Sequence, residues 1–542
     1  MNLRPIPIVL LVMVFALLVP VLGVTDVSGV TSTSQRVLPV ERVTPVAGGS
    51  VCVTGADGEN PTGDVLLLAA PVADEGDVDA VARALLLTRQ TEGEERAFAP
   101  LPAGGFAHLS VELGAEGWSW VGWADHPTTA WQEWRTAGAP GRPSGRVTAR
   151  CLSAEPPVQT LLGLRTDGGN EAVLRLANPF AADATFAVTF VTPSGVSEPI
   201  GLRNVSVRSG TRVSIRLNDH VPEEADVAAI VTVGAGRLAV QGLQRSVAEL
   251  EGIEGLAAVL PIAAPATTWS FPWVATGPGV EGSLWVLNPE PRAVSVQLTM
   301  HTASGATVPD TDRVEVGPGA LVRVDATTLA VDPSGVVGVT LRSETTGILA
   351  AAGAAYVDDD PARTGLVRSE GAPVPDGSWA IAGLAEQGRT SVVHVLNLGE
   401  AEVAPRVTLT TLMRAIRPTP EPAADAPADP DTAEASSPDT SPGDSPVGAE
   451  AVTEEILMRP IPPGGVGRLT LPLDGAWSFA AVIDGGPALV VARTTAGAER
   501  LEPVAALGVA AADLLGAGGA FEGLARTGWV AGLEGVAPAG DD

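Results

Sequence analysis

Val173 to Pro179 reads VLRLANP, an apolar run that stops at Asn-Pro, and the chain carries four such strand-like runs that end in a turn. The other copies are Val65 to Pro71 (VLLLAAP), Leu284 to Pro289 (LWVLNP) and Val392 to Gly399 (VVHVLNLG). With Ala70, Asn178, Asn288 and Asn397 as anchors, the intervals are 108, 110 and 109 residues. Three near-equal intervals define a tandem repeat whose period is about one sandwich domain. Each run is an apolar strand that ends where Asn can bond its own backbone and where Pro179 or Pro289 withdraws a ladder donor. A second landmark follows each anchor, a Gly-bearing turn that leads into an alternating strand: PAGGFAHLSV, VRSGTRVSIRL, VGPGALVRVD and PPGGVGRLTL. The turn glycines are Gly105, Gly210, Gly319 and Gly465, and Trp269 and Trp379 stand 19 and 18 residues before their anchors.

Beyond Asn178 the pattern alternates, with Thr185, Ala187 and Thr189 on one face and Phe186, Val188 and Phe190 on the other, as in a half-buried strand. About seven such strands fit between Val158 and Arg245, and helical periodicity is nearly absent. The reading is all-β, with four tandem immunoglobulin- or fibronectin-like sandwiches of about 110 residues. The alternative is a closed, propeller-like ring in which a terminal strand near Trp529 (GWVAGL, similar to WAIAGL at Trp379) pairs back on the start. The expected boundaries are a signal or anchor at 1–24, a linker at 25–45, modules at 46–150, 151–260, 261–370 and 371–505, and a Gly/Ala-rich end at 506–542. Pro418 to Glu455 is a Pro, Ala, Asp, Glu and Ser tract without Arg, expected as a solvated acidic loop inserted in the fourth module.

Composition narrows the function classes. The 542 residues are 45% hydrophobic and 18% charged, and the formal net charge is −30. A chain this acidic lacks the electrostatic attraction behind non-specific nucleic-acid binding, so nucleic acid is not an expected partner. Arg4 precedes an uncharged apolar run from Ile6 to Val24, which reads as an export signal, either cleaved near Val21 and Gly23 or retained as a single N-terminal membrane anchor. The rest of the chain is then expected outside the cytoplasm. Its two cysteines, Cys52 and Cys151, suit a disulfide in that setting, with two buried thiols as the other reading.

The stretch from Arg150 to Arg245, with Cys151 and LRLANPFAADATFAVTFVTPSG, resembles the uncharacterised exported proteins of actinobacteria built of a repeated domain of unknown function. That resemblance implies an N-terminally anchored cell-envelope protein, with a loose link to envelope glycans and no defined activity. The sequence departs from the family at Val158 to Leu162, where aromatics are usual, and at the acidic insertion.

Chemistry-bearing motifs are sparse. His108, His126, His220, His301 and His394 are scattered over the modules without paired spacing, and no HExxH, nucleophile elbow or lysine-dependent motif occurs. Gly277, Gly279 and Gly282 match a dinucleotide fingerprint but lie between two strands, so they read as a turn. Asp57, Glu59, Asn60 and Asp64, and Asp358 to Asp360, lack calcium-loop spacing and read as turn residues. No cofactor or metal is expected. Trp118, Trp120, Trp123, Trp131 and Trp134 crowd into 17 residues, either as core or as an exposed surface for glycan or protein. The expectation is a non-catalytic envelope scaffold or interaction protein. A glycan-binding protein using these tryptophans is the alternative, and an unrecognised enzyme comes third.

Overall fold

The computed structural model describes residues 47–53, 62–69, 81–90, 93–102, 105–112, 118–124, 128–136, 145–152, 157–248, 253–276, 279–309, 312–326, 329, 336–356, 365–385, 389–413, 450–497, 504–507 and 509–510. The apolar run 6–24, His126, the candidate calcium residues other than Asp64, and Trp529 lie outside the described residues.

Module 1 comprises β1 (Ala47–Cys52), β2 (Thr62–Ala69), β3 (Val81–Gln90), β4 (Gly93–Pro102), β5 (Phe106–Glu112), β6 (Trp118–Ala124), β7 (Thr128–Thr136) and β8 (Gly145–Arg150). They form two antiparallel sheets in the orders β1-β6-β3-β4 and β5-β2-β7-β8. Module 2 runs through β9 (Val158–Leu164), β10 (Asn170–Asn178), β11 (Ala184–Thr192), β12 (Gly195–Ser197), β13 (Val205–Val207), β14 (Thr211–Arg216), β15 (Val227–Ala235), β16 (Ala239–Ala248) and β17 (Ile253–Val259). Its sheets repeat the order, β12-β11-β15-β9 and β14-β10-β16-β17, with the fourth strand broken into β12 and β13. Module 3 does the same with β18 (Thr268–Ala275), β19 (Val280–Leu287), β20 (Val294–Thr302), β21 (Gly305–Thr307), β22 (Arg313–Val316), β23 (Leu321–Asp325), β24 (Val336–Ser343), β25 (Leu349–Tyr356) and β26 (Gly365–Glu370). Module 4 has β27 (Asp376–Leu384), β28 (Arg389–Asn397), β29 (Arg406–Met413), β30 (Glu450–Leu457), β31 (Val466–Thr470), β32 (Ala476–Gly497), β33 (Val504–Leu507) and β34 (Val509–Ala510). Here one 22-residue strand, β32, serves both sheets.

The all-β repeated sandwich is therefore the fold; the span from Val158 to Arg245 holds seven strands when β12 and β13 are taken as one, and β17 adds an eighth beyond it. In β11 the alternation holds: Phe186, Val188 and Phe190 are buried in the module 2 core, while Thr185, Ala187 and Thr189 are half-buried. The strand-ending Asn is fully buried and does the same work three times. Asn178 Nδ2 donates to the carbonyls of Ala182 (2.9 Å) and Val207 (3.0 Å), and its Oδ1 accepts from Phe180 N–H. Asn288 and Asn397 bond the equivalent groups. In module 1 the equivalent residue is Ala69, whose N–H bonds Gly105 O as Asn397 N–H bonds Gly465 O, so the register sits one residue before Ala70. The turn glycines in left-handed backbone are Gly210, Gly319 and Gly464, with φ of 69°, 62° and 67°; Gly465 is the residue after the turn.

Trp269 Nε1 donates to Ile348 O (2.7 Å) and Trp379 Nε1 to Leu489 O (2.8 Å), tying the first strand of each sandwich to the seventh. Module 2 makes the same tie with Gln159, whose Nε2 donates to Leu238 O (2.9 Å). The acidic insertion opens between β29 and β30, inside the fourth sandwich. Its last six residues, Glu450 to Glu455, are strand rather than loop, because β30 pairs along the whole of β29. The fourth module also passes its expected end at residue 505, since β33 pairs with β32 and β34 with β27.

The four sandwiches close on one another. The eighth strands lie around a common axis: β17 runs beside β8 and β26, and β33 beside β26 and β8. Outside the axis, the first sheet of each module packs on the second sheet of the next. Thus β9 packs against β19 and β25, β18 against β28 and β32, and β27 against β2 and β7. Among the described residues the ring is closed by β33 beside β8.

Candidate functional site: the ring axis and the module interfaces

Several buried polar groups lie where modules meet, which makes the interfaces and the axis the candidate region. Three residues before the strand-ending position, each second strand points one side chain at the preceding module. These are Leu66, Arg175, Trp285 and His394, so one repeat position builds four different interfaces.

Leu66 packs with Trp131 against Ala380, Ala382 and Leu384 of module 4. Beside it, the buried Glu133 accepts a bond from Leu384 N–H through Oε2 (3.1 Å). His108 bonds Asp64 (2.8 Å) and lies against the Trp477 ring, with centroids 4.0 Å apart. Arg175 lies over the Trp134 ring at 5.8 Å. At the same interface Trp118 Nε1 donates to Gly210 O (3.3 Å), and Trp120 meets Phe180 edge-on at 6.1 Å. Four of the five clustered tryptophans are thereby placed. Trp118, Trp120, Trp131 and Trp134 are 3%, 5%, 1% and 1% exposed, so they offer no stacking shelf. They join module 1 to both neighbours, which alternation along one strand does not disclose. The side chain of Trp123 lies outside the described residues.

Trp285 stacks on module 2 over Gly163, where a Cβ would come within 2.8 Å of the indole; φ there is +78°. Its Nε1 donates to buried Asp226 (2.7 Å), and Arg368 lies over its ring at 4.8 Å. Arg368 also donates to Gly163 O and Val367 O. Burial, and secondarily Arg165 and Arg323, pull its pKa down to about 9 against an opposing pull from Asp226. His394 faces Trp273 of module 3 at 6.4 Å and bonds Thr494 Oγ1 (2.8 Å). Burial, then Arg468, push its pKa down to about 3, so the imidazole is neutral. From the other side of this interface, His301 bonds Gly464 O and Thr340 Oγ1. Burial lowers its pKa as well, against the bond to Gly464.

At the axis, Arg150 of β8 reaches across to Glu370 of β26 and makes two bonds, Nε to Oε1 at 2.6 Å and Nη2 to Oε2 at 2.9 Å. Close approach of β17 and β26 requires Gly255, whose Cβ would lie 2.6 Å from Leu366 N. A cavity of about 30 Å³ adjoins the ion pair, lined by Thr148, Arg150, Arg368, Ser369 and Glu370 with apolar neighbours. That volume holds roughly two waters. A small-molecule pocket is about tenfold larger or more. Inside module 4, Arg493 is buried over Phe479 at 5.4 Å, with Nε and Nη1 unbonded and its pKa drawn down to about 10 by burial. His220 stacks on Phe190; Gly279 lies between β18 and β19, whereas Gly282, expected in that turn, is inside β19 and pairs with Ala354. Among the described histidines, His301 and His394 share the interface of modules 3 and 4, while His108 and His220 lie elsewhere. Cys52 and Cys151 form a disulfide that joins the end of β1 to the residue after β8.

Residues 124–260 match the model of a family of unknown function, DUF5719, a span that takes in β7 and β8 and all of module 2. No curated protein matches the chain. Among solved structures, a Streptomyces avermitilis alpha-L-rhamnosidase complexed with L-rhamnose aligns with 80% of this chain and 55% of its own length, at 10% identity. The TM-score is 0.13, and the likeness carries no argument. The chain is therefore similar, over its second module and the adjoining hairpin, to a family of unknown function.

Proposed function

We propose that the protein is a non-catalytic, extracytoplasmic scaffold or interaction protein of an actinobacterial cell envelope, a rigid ring that holds partners on its outer rim. The observation that carries this reading is how the buried polar groups are used. Asp226, Glu133, Glu370, Arg368 and His301 are each engaged in holding one module to another. The Cys52–Cys151 disulfide supports an oxidising compartment, and the apolar run from Ile6 to Val24 supports export.

The test is in-cell photo-crosslinking with a reactive amino acid at Ile200, Val308 or Val374, which are 84%, 63% and 69% exposed. Discrete adducts in the envelope fraction are expected, with none from a probe at buried Leu66. A chain that forms no adducts, and instead turns over ester or glycoside substrates in a manner lost with Glu370→Gln, would overturn the reading.

A further inference from the structure

We propose that β30 is a docking edge that takes up an extended, basic segment of another protein as an added strand. This deepens the scaffold reading by naming one partner chemistry.

The strand stands at the end of the order β30-β29-β32-β27-β34, and among the described residues nothing pairs with its other side. The same position in modules 2 and 3 is broken into pieces of three or four residues: β12, β13, β21 and β22. Short, interrupted edges are a usual protection against unwanted strand pairing. Modules 1 and 4 lack the break, but the module 1 edge, β4, carries Pro100 and Pro102, whereas module 4 presents eight proline-free residues in register with β29 from Arg406 to Met413. Ala451 to Glu455 and Leu457 are exposed, and only Ile456 packs toward the core.

Side chains alternate between the faces, so Val452 (45% exposed) lies on one face and Leu457 (69%) on the other. An added strand would cover apolar surface on both. The charge on the edge then selects the occupant. β30 contains Glu450, Glu454 and Glu455 and no cation; Glu455 is paired with Arg406 at 3.0 Å across an exposed surface. A second copy pairing here would bring glutamates from both strands into one ladder, which is repulsive. A strand alternating Arg or Lys with β-branched residues meets the same edge with complementary charge, and the net charge of −30 attracts it from a distance.

The test uses the full chain and a labelled ten-residue peptide alternating Arg with Val and Thr, followed by fluorescence polarisation and amide exchange. Saturable binding is expected, with slowed exchange confined to β29 and β30. Glu454→Lys combined with Glu455→Lys should weaken binding about tenfold or more, as should a proline at the peptide's centre. Equal binding of the proline peptide would reduce the effect to charge adsorption and overturn the proposal. So would protection elsewhere, or concentration-dependent dimerisation through β30. If the rim probes at Ile200 and Val308 yield adducts while the peptide fails to bind, the docking edge falls and the scaffold reading stands.

Discussion

Replacing Asn288 by alanine tests whether the strand-ending carboxamide is what holds each repeat together. The side chain is fully buried and makes four bonds: to the carbonyls of Arg292 (2.7 Å), Val316 (3.1 Å) and Gly317 (3.0 Å), and from Glu290 N–H (3.0 Å). Each is worth about 1 kcal/mol net, and a buried group left without a partner adds about 1 to 3 kcal/mol. Gly317 O keeps a second donor in Ala320 N–H, so the orphaning is confined to the other groups. The expected loss is about 3 to 4 kcal/mol, a large share of the roughly 5 to 15 kcal/mol typical of a folded domain. Guanidinium titration followed by tryptophan fluorescence, with the slope unchanged, reads this as a lower midpoint. Asn288→Asp is the sharper control. It keeps the acceptor for Glu290 N–H, loses both donors and buries a carboxylate, so at neutral pH it should cost more than alanine. A loss under about 1 kcal/mol for alanine, or aspartate tolerated as well as asparagine, would refute the reasoning.

Acid should loosen the fold through His394. Its folded pKa of about 3 lies below the ordinary 6.5, so the unfolded chain takes up the proton first. Stability present above pH 6.5 is lost as pH falls toward 3, by at most about 1.4 kcal/mol per pH unit, and His394→Phe should remove that component from a plot of midpoint against pH. At the axis, Arg150→Ala or Glu370→Ala should each cost about 1 to 2 kcal/mol, discounted because Arg150 is a third exposed; a double-mutant cycle showing no coupling would dismiss the clamp. Reducing the Cys52–Cys151 bond releases a loop spanning 99 residues and should cost up to about 4 to 5 kcal/mol in the chain-entropy limit, read as a lower melting temperature. Gly163→Ala places a methyl group into the Trp285 ring and should cost about 2 kcal/mol or more, read by the same titration.

Repetition was legible where a residue type has a specific backbone task. Asn178, Asn288 and Asn397 announce themselves because a carboxamide alone satisfies both carbonyls and an amide; Gly210 and Gly319 do so because their turns need left-handed backbone. In module 1, Ala69 carries no such mark, and the register slipped to Ala70. Gln159 carries no repeat signature because it makes the bond of Trp269 and Trp379 with different chemistry. Alternation at Trp118 and Trp120 leaves core and surface both open in the sequence, and it cannot show that the described tryptophans of β6 and β7 contact two different neighbours. Periodicity tells which face is covered and not what covers it. β30 was hidden in an acidic tract because an exposed edge strand needs little apolar signal. The axis was illegible altogether, since Arg150 and Glu370 are 220 residues apart and nothing local links them.

Closure of the four sandwiches also sets their number. An open stack of repeats leaves an apolar face at each end and needs capping units with a polar outer side, and it can lengthen one unit at a time. Here module 4 covers the face that module 1 would leave bare, with Leu66 and Trp131 seated against Ala380, Ala382 and Leu384. Neither module needs a cap, and a fifth copy gained by duplication would have to break the contact of β33 with β8 before it could be seated. Recombination that freely extends linear arrays should therefore be selected against here, whereas a circular permutation that moves the break to another module boundary leaves every interface in place.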